Sequence, residues 1–179
     1  MPRLLIAEVV HRATSWAADP DAPYAGMDRR LLRPLGLSEA AWLRGLALEA
    51  LPVAEAERGW PALARDLDQA SGRRHELLAL GELSRPGWER LGLDVGETDT
   101  TTVWSALAHR WRLLPAAELP KWALRLNAHG LFDDPADARA FLERYFACED
   151  PDRDWMSTDG EVYRAGYGLV PIHRLRVAD

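Results

Sequence analysis

The sequence is short of the residues that most often announce chemistry. It holds one cysteine, Cys148, and one lysine, Lys121, among 179 residues. A single thiol excludes an intramolecular disulfide and any zinc or iron–sulfur centre built from cysteines. No run approaches the roughly 18 consecutive apolar residues of a membrane-spanning helix. Residues 1–10 carry an acidic Glu8 and lack both the apolar stretch and the small-residue cleavage site of a secretory signal, so a cytoplasmic location is expected.

Recognisable catalytic motifs are missing as well. Residues 92–96 (GLDVG) have no lysine after them, so they are not a phosphate-binding loop. No Gly-x-Ser-x-Gly elbow occurs. The histidines are His11, His75, His109, His129 and His173, and no two lie three or four apart, so no helical metal pair exists. His75-Glu76 begins like a zinc-protease helix, but Ala79 stands where the second histidine belongs.

β-Branched apolar residues are scarce. Ile occurs twice and Val eight times, against 28 Leu and 28 Ala. Strands favour the former and helices the latter. The expectation is therefore a mainly α fold: one compact multi-helix domain over residues 1–179, with a small C-terminal β-hairpin or terminal strand pair. The helical body runs to about residue 148, an acidic loop covers 149–160, and a β-like tail covers 161–177.

Proline, glycine and capping residues divide that body. A first helix is expected from about Arg3 to Ala18, although residues 4–7 (LLIA) also suit an edge strand. Ser38 caps a helix ended by Pro52, and Pro61 opens the next, with Gly72 as its stop. Residues 74–83 and the stretch from Trp88 are expected to be helical. Residues 100–114 give the clearest helix, with Trp104, Leu107, Ala108 and Trp111 on one stripe. Pro120 opens a helix that turns Trp122 inward, and His129-Gly130 closes it. Asp134-Pro135 begins another, whose inward face is Ala138, Phe141, Leu142 and Tyr145. Cys148 falls at its end, where the helix dipole disfavours a thiolate, and reads as a small buried apolar residue.

Charge and tryptophan are what the chain does have. With 22 Lys+Arg against 28 Asp+Glu the formal net charge is -6. That balance disfavours non-specific nucleic-acid binding, and neither nucleic acid nor membrane is expected as a partner. Trp16, Trp42, Trp60, Trp88, Trp104, Trp111, Trp122 and Trp155 make eight tryptophans. Most fall on inward stripes, whereas Trp60, Trp88 and Trp155 fall at helix starts or in a loop. Trp155 sits among Asp150, Asp152, Asp154, Asp159 and Glu161, an acidic surround suited to a basic protein surface.

The same loop carries a calcium-like spacing. Asp150, Asp152, Asp154 and Glu161 occupy the first, third, fifth and twelfth positions of an EF-hand loop, and Thr158 the ninth. The sixth position needs a glycine for its sharp turn and holds Trp155 instead, and the segment beyond Glu161 reads as strand. No cofactor is therefore expected, and calcium is the weaker reading. The sequence favours a non-catalytic accessory, adaptor or immunity-type protein that uses this acidic surface to bind a basic partner. The alternative is a small helical enzyme with a dispersed site, for which His109, Arg112, His129, Asp133 and Asp134 are the candidates.

Overall fold

The computed structural model describes residues 2–8, 44–45, 47–72, 74–97, 107, 114–148 and 167–176. The chain order is β1 (Arg3–Glu8), α1 (Val53–Ser71), β2 (His75–Leu80), β3 (Trp88–Glu97), a 3-10 turn (Ala116–Glu118), α2 (Leu119–Ala123), α3 (Pro135–Ala147) and β4 (Tyr167–Leu175). Helix accounts for 44% of the described region and strand for 29%, the strands forming one four-stranded antiparallel sheet. This corrects the mainly helical expectation. The sheet order is β1-β2-β4-β3. Of the expected tail, the described residues 167–175 form one nine-residue strand placed between β2 and β3, paired with β2 and not with the N-terminal strand.

The chain divides into two compact units, residues 1–11, 29–91 and 171–179 in one, and 12–28 and 92–170 in the other. In the first unit β1 and β2 pair antiparallel from Arg3↔Leu80 to Glu8↔His75. Antiparallel partners share a face. Leu4, Ile6, Leu77 and Ala79 thus point together, and they meet Ala56, Trp60, Leu63 and Leu67 of α1 in one buried cluster. Each large apolar side chain buried there contributes roughly 1.5–3 kcal/mol. Trp60 is fully buried, so it is a core residue and not an exposed one at a helix start.

Helix α1 begins at Val53, about two turns before the expected Pro61, which lies inside it, with Pro52 as its N-cap residue. Its end matches expectation: Gly72 adopts φ 69° and its N–H donates to the Asp68 carbonyl. Glycine takes that left-handed conformation without a Cβ clash. All six residues of β2 are buried, so both of its faces are covered. That explains why residues 75–80 (HELLAL) show no strand alternation and resemble a helix: a doubly covered strand reads as a continuous apolar run.

In the second unit α3 starts where expected, at Asp134-Pro135, and buries Ala138, Phe141 and Tyr145. Phe141 is the centre of a ring cluster. It meets Trp122 edge-on at 5.3 Å and lies 5.6 Å from Phe132 and 6.2 Å from Tyr145. Tyr167 of β4 adds to it, 6.3 Å from Tyr145 and 5.2 Å from Phe146. Cys148 ends α3, buried, with its Sγ donating to the Arg144 carbonyl at 3.3 Å. Most of the residues of the expected 100–114 helix lie outside the described ones. Among the described residues no helix is long and apolar enough to cross a membrane.

Candidate functional site

Of the residues proposed for a dispersed catalytic site, three are described, and they fall in one short segment. Residues 126–134 form a compact turn fastened to β3. Phe132 exchanges both backbone hydrogen bonds with Leu93, at 2.7 and 2.9 Å, and bridges to Leu126. Asn127 organises the turn. Its Oδ1 accepts from the N–H groups of His129 at 2.8 Å and Leu131 at 3.3 Å. Its Nδ2 donates to Asp133 Oδ1 at 2.6 Å, and its own N–H donates to the Leu131 carbonyl. Asparagine suits the position because one amide offers both an acceptor and donors to nearby backbone.

The turn needs Gly92 beneath it. A Cβ there would lie 2.7 Å from Leu131 Cβ and 3.0 Å from Asn127 Nδ2. Gly92 also has φ 145°, a conformation that L side chains rarely adopt. Asp134 is the N-cap of α3, its carboxylate accepting from the Ala136 N–H at 2.8 Å. Asp133 is exposed and held by Asn127, and His129 is half-buried. The carboxylates of Asp133 and Asp134 are thus built into the turn and the helix start. His109 and Arg112 lie outside the described residues, as do Asp150, Asp152, Asp154, Trp155, Thr158, Asp159 and Glu161. Among the described residues no group of three or more His, Cys, Asp or Glu is placed to hold a metal ion.

Polar pairs that sequence patterning did not reveal lie in the first unit. Asp68 Oδ1 accepts from both the backbone N–H and the Nδ1 of His75, whose ring is wholly buried with Nε2 unpartnered. Glu57 accepts from Arg85 and from Trp88 Nε1 at 2.6 Å, and the Arg85 bond holds its carboxyl below the usual range. Glu89 takes Arg174 at 2.8 Å and Arg176 at 3.3 Å, and is likewise held low. Arg174 also lies 3.6 Å from the buried Glu76. Each links residues 7 to 98 positions apart, beyond the reach of local pattern.

Two groups are shifted against their charge. Glu49 accepts from the Ile6 N–H of β1 at 2.6 Å, and burial pushes its carboxyl up despite that bond. His173 of β4 is buried, and burial together with the Arg90 charge pushes its imidazole down. In the second unit Arg144 grips Glu118 with two bonds, 2.5 and 2.9 Å, lowering the carboxyl and raising the guanidinium. No family model, curated protein or solved structure matches this chain.

Proposed function

We propose that this chain is a non-catalytic protein-binding protein of the cytoplasm, an accessory, adaptor or immunity-type partner. Its acidic segment at residues 150–161, with Trp155 at its centre, engages a basic surface on another protein. One observation carries most weight. The described carboxylates of the alternative enzymatic set, Asp133 and Asp134, each hold a structural hydrogen bond, from Asn127 and from the first turn of α3, which gives both a role in the turn and the helix start without catalysis. The charge balance of -6 adds support, because an acidic protein steers towards a basic partner.

The test is affinity capture from native extract with the intact chain. A parallel variant carries Asp150→Asn, Asp152→Asn, Asp154→Asn, Asp159→Asn and Glu161→Gln. The intact chain should retain a partner with a positively charged surface, and rising salt should release it. The variant should retain little. Equal recovery by both proteins would overturn the reading. So would a substrate turnover that Asp133→Asn abolishes while the fold stays intact.

A further inference from the structure

Residues 115–128 present a surface whose character is opposite to that of the chain as a whole. Leu119 and Trp122 turn inward and are buried. Helical spacing then sets Ala117, Pro120, Lys121 and Leu124 outward on one side, and all four are exposed. Such a face normally carries charge. Here it is largely apolar, and Leu124 is 89% exposed. Leu51, at 39%, is the other large apolar residue exposed among those described.

The charge on this surface is positive. Lys121, the sole lysine of the chain, lies 5.4 Å from the Trp122 ring centre, and the Arg125 guanidinium lies 5.1 Å from it. Stacking on a buried indole fixes cations that would otherwise sample many rotamers. Arg125 is shared with Asp137 at 2.7 Å. The nearby carboxylate, Glu118, is taken by Arg144. Lys121 meets no carboxylate of the described residues within ion-pairing distance. The charge of Lys121 reaches Glu118 and helps to hold that carboxyl low, but Lys121, Arg125 and Arg144 outnumber Glu118 and Asp137 here. An exposed leucine beside this excess of described cations complements a segment that carries the reverse: an apolar anchor flanked by Asp or Glu.

We propose that residues 115–128 are a docking surface for an acidic amphipathic segment of a partner protein, anchored on Leu124 and steered by Lys121. It does not include the acidic segment proposed above and is tested independently of it.

A random-peptide phage library serves as the probe, panned on the full chain and counter-panned on Leu124→Ser. Enriched peptides should pair Leu, Ile or Phe with Asp or Glu. In fluorescence anisotropy the best of them should bind at least about tenfold more weakly to Leu124→Ser and to Lys121→Glu. Binding should weaken as salt rises. Changing the peptide's acidic residues to lysine should abolish binding to the native chain and restore it to Lys121→Glu. Both substitutions lie on exposed positions, so circular dichroism and the thermal midpoint should not move. Failure to enrich, peptides without acidic bias, or equal binding to Leu124→Ser would overturn the proposal. So would a dimer, or attachment to anionic lipid vesicles, that Leu124→Ser abolishes, since each would give the surface a different occupant.

Discussion

Asp68 holds His75 at two points through one oxygen, accepting the backbone N–H at 2.8 Å and Nδ1 at 2.9 Å. The carbonyl of the same residue accepts the Gly72 N–H that closes α1. One residue therefore ends the helix, and its side chain starts the strand that follows. The contact requires the proton on Nδ1, because a carboxylate oxygen can only accept, and Nε2 is buried without a hydrogen-bond partner.

Asp68→Ala should therefore cost more than an ordinary surface change. It strands a backbone N–H and a ring N–H of a wholly buried histidine. Each unmet buried donor costs about 1–3 kcal/mol. Asp68→Asn keeps a side-chain carbonyl and should cost clearly less. Urea denaturation of the two variants measures the difference. Equal, small losses would mean that water replaces the carboxylate at no cost.

How much of this was legible in the sequence depends on whether the signal is local. Gly72 as a helix stop, Asp134-Pro135 as a helix start, and the inward Trp122, Phe141 and Tyr145 all rest on positions a few residues apart, and all hold in the structure. The strands are legible unevenly: β4 lies inside the expected β-like tail and β1 covers residues 4–7, which also suit a strand, whereas β2 and β3 fall where helix is expected. β2 is made of helix formers, and only its burial on both faces, a tertiary property, makes it a strand. β4 passes through Gly168 and Pro171, residues that interrupt strand patterns, yet it takes a place between two other strands. The Pro171 carbonyl also accepts the Gly81 N–H, so the ring costs only a donor. Of the candidate site, Asp133 and Asp134 stand out in the sequence by their charge, whereas Asn127, which organises their turn, carries none.

His173 predicts an acid weakness. Its folded pKa lies below the unfolded value of 6.5, because burial and Arg90 oppose the imidazolium. The unfolded chain then binds the proton first as pH falls. Stability is at its full value above pH 6.5 and declines as pH drops through that value towards the folded pKa. Unfolding free energies measured between pH 7.5 and 5.5 should show this slope. His173→Gln should flatten it, and an unchanged slope would assign the effect to another group.

Glu49 has the opposite sign. Its folded pKa is raised above 4.5 by burial, so the folded chain binds the proton first. Stability is greatest below 4.5 for this group and is lost as pH rises through the folded pKa. Glu57, Glu89 and Glu118, held low by arginine, contribute stability above 4.5 that disappears as pH falls. Glu49→Gln keeps an acceptor for the Ile6 N–H and removes the buried charge. It should gain stability at neutral pH relative to the parent and none at pH 4, a crossing that thermal melts at the two pH values would reveal.

Gly92 and Gly72 separate two reasons for glycine. At Gly72 an added Cβ meets nothing within 4 Å, so alanine pays only for φ 69°, about 1 kcal/mol. At Gly92 the Cβ would stand 2.7 Å from Leu131 Cβ, an atom fixed to the backbone, and φ is 145°. Neither Leu131 nor Phe132 has room to withdraw, because Phe132 is bonded to Leu93 on both sides. Gly92→Ala should therefore destabilise by several-fold more than Gly72→Ala, of order 3 kcal/mol by the cost of overpacking plus backbone strain. It should also loosen the turn around Asn127. Amide exchange at Leu131, whose N–H is held by the Asn127 carboxamide, would then quicken in Gly92→Ala and stay slow in Gly72→Ala. Slow exchange at Leu131 in both variants would show that the turn keeps its shape without support from β3.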